Sequence, residues 1–223
     1  MKERIAMNTT YCTLSGVTKT FHSRFGNRTV GPIDLELRAG EVLGIRGING
    51  AGKSTVMNMI AGMIRPERGT VRFAPEARNR IGYVPQELSL YETLTCRDNL
   101  RFWGRAAGLP GKQIATRASW LLHELNLDEW ADAAVSDCSG GTKRRLHLAT
   151  ALMLLPKILL LDEPSVGADE DSADSILQTI LHLKTLGLSI ILISHRKGDL
   201  ERVCDRILTL ENGAISSEEI PQH

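Results

Sequence analysis

The sequence predicts an α/β fold: a parallel sheet covered by helices on both faces, entered through an antiparallel β subdomain and interrupted by an α-helical one. Three patterns lead to this reading. Apolar runs of strand length alternate with segments of helix length, the order that builds parallel sheets. The residues from Tyr11 to Leu37 alternate in polarity, as in Ile33-Asp34-Leu35-Glu36-Leu37, which suits a half-exposed antiparallel sheet. The stretch from Leu88 to about Asp137 is almost wholly helical in pattern and holds all three tryptophans, Trp103, Trp120 and Trp130.

Taken in order, β-type runs follow the alternating segment at Val42 to Ile45, Thr70 to Phe73, Ile81 to Val84, Ile158 to Leu161, Ile190 to Ile193 and Ile207 to Leu210. The first, fourth and fifth of these are apolar enough to be buried on both faces. Helix-length patterns fall at Lys53 to Ile64, Arg97 to Ala107, Gln113 to Leu125, Gly141 to Leu154 and Ser172 to Leu186. No repeat, low-complexity segment or Pro/Gly/Ser linker divides the chain. The expectation is one domain over residues 10–215, with a helical subdomain at about 88–150 and flexible ends at 1–9 and 216–223.

Composition narrows the function classes. The 223 residues are 42% hydrophobic and 24% charged, with a formal net charge of +1. This is the profile of an ordinary globular domain, with no strong pull on nucleic acid, so no nucleic-acid partner is expected. Cys12, Cys96, Cys138 and Cys204 lack zinc-site or disulfide-framework spacing, which suits a reducing compartment. Met1 to Thr10 has no apolar run of the secretory type. The longest apolar runs are cut by Pro156 and Asp162, short of the ~20 residues a spanning helix needs. Any membrane span is therefore expected from another chain.

Two motifs point to chemistry. Gly47-Ile48-Asn49-Gly50-Ala51-Gly52-Lys53-Ser54-Thr55 follows a strand and opens a helix, the context of a phosphate-cradling loop. Glycine lets backbone N–H groups close around phosphate, and the helix N-terminus favours anionic charge. Lys53 can reach the β- and γ-phosphates of ATP, and the Ser54 hydroxyl can ligate Mg²⁺. The second motif, Asp162-Glu163, ends an apolar strand on the side where open α/β sheets bind ligands. Asp162 suits a metal-bound water, and Glu163 can orient the water that attacks phosphorus.

With these residues in place, the chain resembles the ATPase subunits of ABC transporters over nearly its whole length. Five landmarks fall in the family's order: the phosphate loop, Gln86, Cys138-Ser139-Gly140-Gly141-Thr142, Asp162-Glu163 and His195. The resemblance implies a P-loop NTPase (RecA-like) core, with ATP and Mg²⁺ as ligands. It implies that Gln86 touches the metal and the attacking water and reports to the membrane partner, and that His195 contacts the γ-phosphate. Ser139, Gly140 and Gly141 would form an anion site for the nucleotide held by a second subunit. Ser165-Val166-Gly167-Ala168-Asp169 corresponds to the loop at that interface. Phe21 resembles the aromatic that stacks on adenine, with Phe25 as a rival.

The chain departs from the family where Cys138 and Ala168 replace a usual Leu, Thr142 a usual Gln or Met, and Ile48 a usual Pro. None of these removes a phosphate or metal ligand. Two of them are small residues expected near the dimer interface, so a homodimer and a heterodimer both stay open. Ser139 to Leu146, and Tyr91-Glu92-Thr93-Leu94-Thr95, look like the single-domain ATPases of bacterial drug and polysaccharide exporters. The expected partners are an integral membrane permease and a second ATPase subunit, at the cytoplasmic face of the cell membrane. An importer is less favoured. A soluble, non-transport ATPase of the same superfamily is the alternative.

Overall fold

The computed structural model describes residues 9–24, 26–196 and 198–222. Two long strands, β1 (Thr10–Ser23) and β2 (Gly26–Arg38), pair antiparallel and are joined by β4 (Arg68–Phe73) in a three-stranded sheet of order β2-β1-β4. This is the alternating segment, with Leu14, Val17, Ile33, Leu35 and Leu37 turned into the core. The run at Thr70 to Phe73 thus belongs to the antiparallel subdomain. Its burial is only partial, unlike that of the strands of the second sheet.

The second sheet has the order β5-β6-β7-β3-β8-β9, formed by β3 (Val42–Arg46), β5 (Ile81–Val84), β6 (Ile158–Asp162), β7 (Ser189–Ile193), β8 (Arg206–Glu211) and β9 (Ala214–Glu219). Neighbours from β5 to β8 run parallel, and β9 pairs antiparallel on β8. β6 and β7 are buried along their whole length because successive residues enter different cores. Leu159, Leu161, Ile190 and Leu192 face the helical side, whereas Ile158, Leu160, Ile191 and Ile193 face the antiparallel subdomain.

The helices are α1 (Lys53–Ile60), α2 (Cys96–Ala106), α3 (Gly111–Glu124), α4 (Gly140–Leu152), α5 (Glu170–Thr185) and a short α6 (Asp199–Val203). Their ends are encoded locally. The side chains of Thr95, Ser139 and Asp169 accept the N–H groups of Asp98, Thr142 and Ser172, capping α2, α4 and α5. α1 stops at Ile60, before the predicted Ile64, and Gly62 follows in the left-handed region at φ 74°. α2 and α3 pack together in the helical subdomain, where Leu100, Ile114, Leu121 and Leu122 are buried.

The flexible carboxyl end expected from residue 216 needs correction, because residues 216–219 lie in β9. Asn212 (φ 51°) and Gly213 (φ 85°) make the tight turn that folds β9 back onto β8. The strand is mostly exposed, so it lacks the apolar signal by which strands are recognised. An ion pair from Arg206 Nη1 to Glu218 Oε1, at 2.9 Å, ties it to β8. Residues 1–8, expected to be loose, lie outside the described residues. No helix among the described residues is long and apolar enough to cross a membrane.

Candidate functional site

Because β3, β5, β6 and β7 are parallel, the loops after them leave the same edge of the sheet. This places the phosphate loop (after β3), Gln86 (after β5), Glu163 (after β6) and His195 (after β7) together. An open cleft of about 750 Å³ is lined by Phe21, Asn49, Gly50, Gly52, Lys53, Ser54, Thr55, Gln86, Glu163 and His195, together with Arg28, Val30 and Val166. Open parallel sheets bind ligands at this edge.

The loop's shape depends on glycine at two points. A Cβ on Gly47 would lie 2.4 Å from the Leu210 carbonyl oxygen, and one on Gly52 (φ 109°) 2.8 Å from the Val30 side chain. Ala51 and Lys53 are buried. The Lys53 ammonium donates to the carbonyls of Gly47 at 2.8 Å and Ile48 at 3.1 Å, curling over the loop it serves. Burial lowers its pKa, and the charges of Glu163 and Asp162 oppose that shift.

Asp162 is 5% exposed at the end of β6, below the cleft surface. Burial raises its pKa, against the lowering effects of the Ser54 hydroxyl, Lys53 and His195. Among the described residues no three His, Cys, Asp or Glu side chains cluster as a metal site. The hard oxygens of Ser54 and Asp162, beside Gln86, fit a Mg²⁺ ion that takes its remaining donors from water and phosphate.

Glu163 occupies the left-handed region at φ 53°, a costly conformation for a residue with a Cβ. Its N–H donates to the Ile193 carbonyl at 3.0 Å, and its carbonyl accepts the Val166 N–H at 3.1 Å, so both sides of the residue are fixed. The carboxylate is 3.0 Å from His195 Nε2. Held strain of this kind is concentrated at active sites and ligand clamps. Below His195, the buried Asp199 accepts hydroxyl bonds from Ser194 (2.9 Å) and Ser165 (3.2 Å), joining the loops after β7 and β6. Sequence reasoning did not single out Asp199, Arg28 or Val30. Asp199 lies four positions beyond His195, and that proximity is the one signal in the sequence that could have found it.

Ser139, Gly140 and Gly141 do not line this cleft. Ser139 and Gly140 are exposed, and the Ser139 Oγ accepts the Thr142 N–H at 3.2 Å while lying 2.9 Å from the Thr142 hydroxyl. A Cβ on Gly141 would meet the Ser172 hydroxyl at 2.5 Å, so α4 is seated closely on α5. Cys138 is 8% exposed and its sulfur lies 3.7 Å from that of Cys96, so this small residue serves the helical core and does not thin an outer surface. Phe21, 38% exposed, borders the cleft as the cross-strand neighbour of Arg28. Phe25, its rival, lies outside the described residues.

Residues 30–166 match the profile of the ABC transporter family. The linearmycin resistance ATP-binding protein LnrL of Bacillus subtilis is 39% identical over 200 residues, covering 86% of this chain and 64% of that protein. The Nod factor export ATP-binding protein I of Cupriavidus metallidurans is 38% identical over 197 residues, covering 85% of this chain and 65% of that protein. The chain thus spans a little under two thirds of the length of these relatives. Among solved structures, the dimeric post-hydrolysis state of the ATP-binding cassette MJ0796, bound to ADP and Pi, superposes with a TM-score of 0.81 at 25% identity, covering 95% of this chain and 99% of that one. With four cleft loops in the order expected from sequence and a matching profile over most of the fold, the chain belongs to the ABC transporter family, as an ATP-binding cassette.

Proposed function

We propose that the chain binds ATP with Mg²⁺ and hydrolyses it as one of two ATPase subunits that drive export through a separate membrane permease. The observation that supports this reading best is the convergence of Lys53, Gln86, Glu163 and His195 on one cleft. In this reading the loop amides and Lys53 hold the β- and γ-phosphates, and the lysine exchanges its two carbonyl bonds for phosphate oxygens. Phe21 stacks on the adenine. Ser54, Asp162 and Gln86 would hold Mg²⁺, which would supply neutralisation of the phosphate charge when bound. Glu163 orients the attacking water, and His195, 3.0 Å from it, holds the carboxylate and contacts the γ-phosphate.

Ser139 is exposed and does not line this cleft, which supports the use of its anion site by the nucleotide of a second subunit, identical or related. The exposed apolar side chains Leu88 and Tyr91 follow Gln86 closely in sequence, and the ring of the exposed Phe102 lies 4.5 Å from that of Tyr91. This surface suits a helix of a membrane partner, which would place the chain at the cytoplasmic face of the cell membrane. Export is the direction named for the Nod factor relative and fits the resistance role named for LnrL. Phosphate release from purified protein tests the site. Glu163→Gln should retain ATP binding and lose turnover, and wild-type turnover in that variant would overturn the assignment.

A further inference from the structure

The basic run Lys143-Arg144-Arg145 on α4 has the sequence pattern of a solvated helix face, yet the structure uses it otherwise. Arg144 is half-buried, and burial lowers its pKa. Its Nη1 donates to the carbonyl of Gln86 at 2.7 Å, and its Nη2 donates to the carbonyl of Val166 at 2.9 Å. Gln86 and Val166 belong to different loops, after β5 and after the acidic pair, and both line the nucleotide cleft. Among the described residues the Arg144 guanidinium has no carboxylate partner, so its desolvation is compensated by these two carbonyls. A planar, forked donor fixes the spacing of two acceptors in a way that a point charge cannot.

The same helix holds the Gln86 loop at two more points. One turn beyond Arg144, His147 is 2% exposed, and its Nε2 accepts the Ser89 N–H at 3.3 Å. Lys143 Nζ pairs with Glu92 Oε1 at 3.0 Å. Residues 86–92 are therefore fastened to α4 by three side chains. The N-terminus of α4 carries Ser139, the residue assigned above to the second subunit's nucleotide.

We propose that Arg144 is a positioning residue: it locks the loop carrying Gln86 to the loop following Glu163, so that both reach the nucleotide in register with the Ser139 anion site. The inference rests on the ATP-hydrolysing reading of the cleft. It makes α4 a rigid link through which engagement of Ser139 by a second subunit is felt at two catalytic loops. Removing the fork frees each loop to move by an ångström or so, enough to slow an oriented reaction without removing any group that binds ATP.

The test is steady-state ATP hydrolysis by the full chain. Arg144→Ala should lower kcat about tenfold or more, with the KM for ATP within about twofold and the circular dichroism unchanged. In a Gln86→Ala background the same substitution should cost much less, because Arg144 acts largely through the placement of Gln86. Wild-type kcat in Arg144→Ala, a loss of ATP affinity equal to the loss of rate, or full additivity with Gln86→Ala would overturn the proposal. If Arg144→Ala does not fold, Arg144→Lys carries the test: a lowered kcat at unchanged KM supports the proposal, and wild-type kcat overturns it. Glu163→Gln is measured alongside. If it turns over normally, the reading of the cleft fails; if it is inactive while the Arg144 variants match the wild type, only the positioning role fails.

Discussion

Replacing Glu163 by Gly should leave the chain more stable than replacing it by Ala, the reverse of the ordinary order for these two residues. Both substitutions remove the carboxylate and its 3.0 Å contact with His195, so that loss cancels in the comparison. What differs is the backbone. At φ 53° a residue with a Cβ carries about 1–2 kcal/mol of steric cost that Gly does not. Against this, Gly loses about 0.5–1 kcal/mol more conformational entropy on folding than Ala does. The net advantage of Gly is about 0.5–1 kcal/mol, or about 1–4 °C in melting temperature for a chain of this size. The bonds from the Glu163 N–H to Ile193 and from the Val166 N–H to the Glu163 carbonyl hold the geometry, so the chain cannot relax out of it cheaply. Scanning calorimetry without nucleotide reads the difference, and neither variant should release phosphate from ATP. An Ala variant as stable as the Gly variant would refute the claim that position 163 stores backbone strain.

Three other outcomes follow from the same geometry. Burial raises the Asp162 pKa, so its penalty is absent while the carboxyl is protonated and appears as the pH rises through the raised value. Asp162→Asn should therefore melt higher than the wild type at neutral pH without Mg²⁺, with a gain that vanishes in acid and with turnover lost at every pH. His147 has its pKa lowered by burial and by Arg144 to about 4, so its contribution to stability is present above the ordinary histidine value and is lost as the pH falls toward 4. Urea unfolding of His147→Phe should lack that part of the acid destabilisation, up to about 3 kcal/mol. Gly47→Ala puts a Cβ 2.4 Å from the Leu210 carbonyl, so it should cost about 1–3 kcal/mol in thermal stability and abolish ATP binding measured by calorimetry.

Much of this was legible in the sequence because the functional residues follow strands that announce themselves. Ile158 to Leu161 and Ile190 to Ile193 have the length and apolar continuity of fully buried strands, and a parallel sheet brings whatever follows them to one edge. The phosphate loop carries its own geometry in its glycines. β9 was missed because Ala214 to Glu219 is polar and is held by a backbone ladder and by the pairing of Arg206 with Glu218, neither of which leaves a periodicity. The roles of Arg144 and His147 were invisible for a different reason. Their partners are backbone groups of Gln86, Val166 and Ser89, and a carbonyl or an N–H has no letter in the sequence. Asp199 likewise gains meaning only when the fold brings Ser165, 34 residues away, against it.

The central claim is that this cleft is half of a hydrolytic site, completed by Ser139 to Gly141 of another subunit. Light scattering of Glu163→Gln with saturating ATP and Mg²⁺ tests it most directly. The expected mass is that of a dimer with ATP and of a monomer without it, and adding Ser139→Arg to the same chain should return the ATP-bound form to a monomer. A Glu163→Gln chain that binds ATP yet stays monomeric, or a dimer indifferent to Ser139→Arg, would contradict the account.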